Sequence, residues 1–197
     1  MRLAHQWRLT CGSGVPRSLV EGFLRPAVRA VPASMACRLG SCFIHVAADP
    51  SREELSSWTA GEKGLEVSIN VTDLDDHDAA MELLVCLGQA LWDRLSEEES
   101  RSYWLLLRDE MGEDLDGEID EAALDAKLAL FKNQSNARLV AYGRASFAGT
   151  AAEYVHCLWH EVTVRTGPDH LPAEALRRRL LLLDRWFPPN RGYRLFP

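Results

Sequence analysis

The sequence predicts a helix-rich α+β domain, and three observations carry that expectation. Most of the chain falls into stretches whose apolar residues recur at helical spacing. Two short runs, residues 41–48 and 65–71, have strand character. Residues 65–71 are the clearer case: Leu65, Val67, Ile69 and Val71 alternate with Glu66, Ser68 and Asn70, as a half-buried strand requires. Finally, no internal repeat or low-complexity linker divides the 197 residues, and a hydrophobic fraction of 47% supplies one substantial core.

Composition excludes several classes. A net charge of −7 argues against a dedicated nucleic-acid binder. The densest basic cluster, Arg177, Arg178 and Arg179, lies within an apolar helical pattern and reads as a solvated helix face. Five cysteines, at 11, 37, 42, 86 and 157, are an odd number without CxxC spacing, which fits reduced thiols in the cytoplasm better than a disulfide framework. Arg2, His5, Gln6 and Arg8 interrupt the apolar residues at the N-terminus, so a signal peptide is not expected there. No run approaches the roughly 18 apolar residues of a membrane span. A soluble, cytoplasmic protein is expected, with a flexible segment over residues 1–14 and a single domain over 15–197.

Along the chain, residues 18–36 predict an amphipathic helix that Pro26 and Pro32 bend or divide. Residues 41–48 form a strand ended by Asp49 and Pro50, and residues 52–57 a helical turn. Glu62, Lys63 and Gly64 provide turn chemistry before the strand at 65–71. Asp73 or Asp75 caps a helix over 76–95, and Ser96 followed by three glutamates opens the next. The acidic stretch 109–121 reads as a surface loop. Its Asp114, Asp116 and Gly117 are similar to the middle of a calcium loop, but Gly112 and Ala123 occupy the first and last ligand positions, so a solvated loop is expected. Residues 120–133 form another helix and 143–149 a loop. Thr150 caps a helix to 165, and residues 172–186 form the last.

The helix over 76–95 is apolar almost all round. Its one polar stripe holds Asp78, Glu82, Gln89 and Asp93, with positions 85 and 86 lying along it. By periodicity alone this is a central core helix with a buried, hydrogen-bonded Gln89. The run Leu83-Leu84-Val85-Cys86-Leu87-Gly88-Gln89-Ala90-Leu91 also resembles the active-site helix of zincin metallopeptidases, typically L-L-H-E-L-G-H-A-L. In that helix two His bind zinc and the Glu is the general base. Val85 stands at the first His, Cys86 at the Glu and Gln89 at the second His.

A second segment, Ala152-Glu153-Tyr154-Val155-His156-Cys157-Leu158-Trp159, resembles the gluzincin helix that supplies the third zinc ligand; Glu153 matches that Glu. Ser146 stands seven residues ahead of it, where the family's loop would offer a Tyr. The resemblance covers about residues 40–190. It implies a zincin-like fold, a small mixed sheet with several packed helices, and a site degenerate at Val85, Cys86 and Gln89 with Glu153 retained. Without ligands or base there is no means to activate water. The implied protein is a catalytically inactive pseudo-zincin. It would bind or scaffold an unknown peptide or protein partner without a cofactor, and without nucleic acid or membrane.

The residues also allow an alternative. Glu153, His156 and His160 share one face of a helix whose opposite face is Val155, Leu158, Trp159 and Val162. His pairs at this spacing bind transition metals, Glu161 lies beside them, and His77 could complete a site. That reading is a metal-dependent hydrolase holding zinc; its plain counterpart is a solvated polar face. Cys86 is expected to be an inert core thiol. No phosphate loop or G-x-S-x-G elbow is present. Trp92, Trp104, Trp159 and Trp186 read as core.

Overall fold

The computed structural model describes residues 1–52, 54–113, 116–160, 167 and 169–196. It is a mixed α+β structure with one four-stranded sheet in the order β1-β2-β4-β3. Strands β1 (Arg8–Cys11), β2 (Cys42–Ala47) and β4 (Gly64–Asn70) run parallel, and β3 (Ser56–Gly61) is the antiparallel edge. Alternation decides which face is covered: Cys42, Ile44 and Val46 of β2 and Leu65, Val67 and Ile69 of β4 are buried, while His45 and Glu66 point to solvent. The helices pack on the buried side.

The first helical stretch comprises α1 (Arg17–Leu19), a π-helical segment (Val20–Leu24) and α2 (Arg25–Ala30), and α3 (Ala33–Leu39) follows. Pro26 is accommodated just inside α2, directly after the π segment. Pro32 breaks the helix: Val31 is extended, with ψ 122°. Asn190 satisfies the groups this break exposes, accepting from the Ala33 amide at 2.9 Å and donating to the Val31 carbonyl at 2.8 Å.

The remaining helices are α4 (Asp76–Trp92), α5 (Glu97–Gly112), α6 (Glu121–Lys132), α7 (Asn136–Trp159) and α8 (Ala173–Trp186). Their starts follow local chemistry. Asp75 accepts from the Asp78 amide and caps α4, Asp120 does the same for α6, and Ser96 forms a reciprocal capping box with Glu99 on α5. The central packing is α4 against α7, with α4 also lying on β4 and β3. No described helix is long and apolar enough to cross a membrane.

Several expectations are corrected. The segment 1–14 is not frayed: β1 pairs with β2, and Trp7 and Leu9 are buried in the same core as α4 and α7. Trp7 also donates to the Gly40 carbonyl at 2.9 Å. Burial of a side chain such as Leu9 contributes about 1.5–3 kcal/mol, enough to hold a short edge strand. Trp92, Trp104, Trp159 and Trp186 are only half buried. The expected helical turn at 52–57 gives way to the start of β3, although residue 53 lies outside the described residues. The four-residue overlap between the acidic stretch and α5 matters most, because Glu110 is buried there. Asp114 lies outside the described residues.

The expected loop at 143–149 does not exist, because α7 runs unbroken through it. Its glycines mark close approaches, not a turn. A Cβ on Gly143 would overlap the Trp104 ring, and one on Gly149 would overlap Asp120 and Ile119. Thr150 is therefore no cap; its hydroxyl donates back to the Ser146 carbonyl at 2.7 Å. The helix expected to reach residue 165 ends at Trp159, and residues 161–166, including Glu161 and Val162, lie outside the described residues.

A buried ion network joins α5, α7 and α8. Arg179, read from sequence as part of a solvated face, is fully buried. Its guanidinium donates to Glu110 at 2.6 and 2.9 Å, to Glu118 at 2.8 and 2.9 Å, and to the Ser146 hydroxyl at 2.8 Å. Glu118 also accepts from the Tyr142 hydroxyl at 2.5 Å and faces Lys127 at 3.5 Å. Burial alone would raise the Glu118 carboxyl, but Arg179, Tyr142 and Lys127 outweigh it and leave it below the usual range.

Candidate functional site

A cavity of about 700 Å³ opens between the first turns of α4, the start of α6, the C-terminal half of α7 and the approach to α8. Asp75 sets the direction in which α4 starts, so His77, Glu82 and Val85 line one wall. The opposite wall comes from α7, where Glu153, His156 and His160 follow one another at its C-terminal end. Gly149 leaves room for Asp120 at the base.

The three imidazoles converge. Nε2 of His77 lies 3.0 Å from Nε2 of His156. The His160 ring centroid is 5.4 Å from that of His156, nearly parallel to it, and 5.7 Å from that of His77. Glu153 meets His156 Nδ1 through Oε2 at 3.2 Å, while its Oε1 faces the Cys157 thiol at 4.0 Å. The expected solvated face is corrected in one respect: His156 is only 6% exposed, because Trp159 and His77 close over it, whereas His160 at the helix end is exposed.

The positions matched to the peptidase motif diverge. Val85 lines the cavity with Glu153 and offers no donor atom. Cys86 is buried, and that burial, reinforced by Glu82 and Glu54 against Ser56, pushes its thiol up to about 11. Gln89 turns toward the sheet edge and accepts from Trp58 Nε1 at 3.0 Å. Ser146 faces Tyr103 and Arg179 in the core, away from the cavity. Cys157 is likewise held as a thiol, pushed up to about 12 by burial and by Glu153.

The residues brought together are thus Glu153, His156, His160 and His77, with Val85 beside them. Sequence reasoning missed the floor of the cavity, Glu118, Asp120 and His170. Their segments pair: the Leu171 amide donates to the Glu118 carbonyl at 3.0 Å, and Glu118 bridges to His170. Gly117 permits this, since a Cβ there would overlap the His170 backbone. The signal available was Ile119, an apolar residue inside an acidic run.

Asp120 is half-buried, and desolvation raises its carboxyl despite the Ala123 amide it caps. The described residues lining the cavity include no Lys or Arg, so its field favours cations. Compared with known proteins, the chain matches no family model, no curated protein and no solved structure.

Proposed function

We propose that this chain is a zincin-like domain that has lost its peptidase chemistry on α4 and acts by binding, as a docking or scaffold domain for an extended peptide segment. The observation that supports this reading is the placement of Val85 and Glu153 on facing walls of one cavity beside the β3 edge. A peptidase site would gather two imidazoles and a base from α4 there. Val85 cannot ligate, Cys86 is a buried thiol, and Gln89 is committed to Trp58.

The edge strand supplies the binding groups. The Asn70 amide donates to the Leu55 carbonyl at 2.7 Å, so the antiparallel alternation engages Ser57 and Thr59 with β4 and turns the backbone groups of Ser56, Trp58 and Ala60 outward. β3 is last in the sheet order, so an extended segment can add to it through main-chain bonds.

The test is selection from a displayed library of random peptides on the full chain, followed by A60P. Proline there removes one outward N–H while leaving the ladder to β4. The expected result is recovered peptides whose affinity falls at least tenfold in A60P, with no cleavage in the presence or absence of added zinc. Cleavage of the peptides, or binding indifferent to A60P, would overturn the reading. The alternative, a metal-dependent hydrolase on Glu153, His156 and His160, draws on the convergence of these groups with His77. Metal-dependent turnover lost in H160A would favour it.

A further inference from the structure

The convergence of imidazoles points to a function independent of the peptidase resemblance. We infer that His77 and His156 form a binding site for a single borderline transition-metal ion of the zinc class. Glu153 orients His156, and His160 is the third imidazole within reach.

The geometry argues for this in steps. Two nitrogens bound to one tetrahedral zinc at 2.0–2.1 Å stand about 3.3 Å apart. Nε2 of His77 and Nε2 of His156 are 3.0 Å apart, so a shift of a few tenths of an ångström admits the ion. The two rings come from positions 79 residues apart, one at the start of α4 and one near the end of α7.

The His156 ring is also oriented from behind. Glu153 Oε2 lies 3.2 Å from His156 Nδ1, which places the ring proton there and aims the Nε2 lone pair at His77. A carboxylate behind an imidazole in this way fixes the ring and raises its basicity as a ligand. His77 is held more loosely: Asp78 Oδ1 lies 3.6 Å from its Nδ1, too far for a hydrogen bond. A shared proton would also bridge two nitrogens. What separates a metal site from a simple imidazole pair is a third donor; the His160 nitrogens do not lie within 4.8 Å of the donor atoms of both other rings, so the exposed His160 ring, its centroid 5.4 Å from that of His156, must turn inward to supply one.

Access and charge agree. The His77 side chain is 31% exposed, so an ion can enter from the cavity and water can complete its shell. Asp78, Glu82, Asp120, Glu121 and Asp125 on the walls give the cavity a negative field. Imidazole donors select zinc, cobalt or nickel over magnesium or calcium.

The experiment is titration of Co²⁺ into the full chain, purified without a His tag and stripped with chelator, followed by displacement with Zn²⁺. The proposal expects one saturable equivalent with the visible absorption of tetrahedral cobalt, displaced by zinc. H77A and H156A should each abolish saturable uptake, and H160A should weaken it and alter the absorption. E153Q should weaken binding about 10–100-fold, and H45A, on the exposed face of β2, should change nothing. Circular dichroism establishes that each variant is folded; if H156A is not, H156Q takes its place. Absence of saturable uptake by the native chain, or uptake unchanged in folded H77A, would overturn the site. Neither outcome bears on peptide binding at β3, which A60P tests separately.

Discussion

Gly88 shows how one residue can serve the whole packing. In the sequence it is part of a motif frame; in the structure it is the point where α4 meets α7. A Cβ on Gly88 would lie 2.7 Å from the Ala148 carbonyl oxygen and 2.9 Å from its Cα, both backbone atoms that cannot swing aside. Alanine gains about 1 kcal/mol of helix propensity over glycine. Forcing the helices apart costs about 1–3 kcal/mol and wins. G88A should therefore lower unfolding free energy in a denaturant titration by up to about 2 kcal/mol, net of these two effects. An unchanged or raised midpoint would show that α4 and α7 are not in contact at this residue. Gly143 and Gly149 meet side chains instead, those of Trp104, Asp120 and Ile119, so the glycines of a segment that reads as loop mark contacts within a helix.

At the scale of elements, α5 is held at its start by more than its cap. Glu99 closes the capping box with Ser96 and also receives both guanidinium nitrogens of Arg38 from α3, at 2.6 and 2.8 Å. Arg38 in turn lies 4.9 Å over the Phe187 ring beyond α8. The Arg38 hydrogen bonds, opposed by partial burial and assisted by Ser96, hold the Glu99 carboxyl down at about 2. An unfolded Glu titrates near about 4.3. The folded value is the lower one, so this contribution is present above about pH 4.3 and is lost as pH falls toward about 2. Stability measured against pH should decline across that window in the native chain. In R38Q the decline there should be shallower, with a loss of up to about 1 kcal/mol at neutral pH. Parallel pH profiles for the two proteins would refute the tether.

Across the whole molecule, the ion network around Arg179 fastens α8 to α5, α7 and the floor of the cavity. Two carboxylates, Glu110 and Glu118, share this guanidinium in the interior, and Lys127 adds a second positive charge beside Glu118. Removing Arg179 leaves both carboxylates buried with less than their compensating charge. R179M should cost about 3–5 kcal/mol in equilibrium unfolding, far more than R177M, whose guanidinium sits over Phe196 near the surface. Combining E110Q and E118Q with R179M should recover part of the loss, because neutral amides tolerate burial better. If R179M and R177M destabilise equally, the network is not a fastening of the fold. Glu118 is part of the cavity lining, so the network also keeps the floor of the candidate metal site in place.

The sequence by itself determined the features whose cause is local. Period-2 alternation placed β4, an Asp cap at 73 or 75 and Ser96 with its three glutamates placed the starts of α4 and α5, and the prolines at 26 and 32 marked where the first helix divides; the structure chose Asp75 and Pro32. Part of the site was legible too, since spacing alone puts Glu153 and His156 on one helical face, although His160 turns out to be the extended residue that ends the helix. Only the tertiary structure decided the rest. It brought His77 across to His156, turned Gln89 to Trp58, and converted the glycines of α7 from apparent breakers into contact points. It also drew Trp7 and Arg179 inside, one into the apolar core and the other between two carboxylates. These outcomes depend on partners far away in the chain. Local periodicity carries the direction of a side chain but not the identity of what it meets.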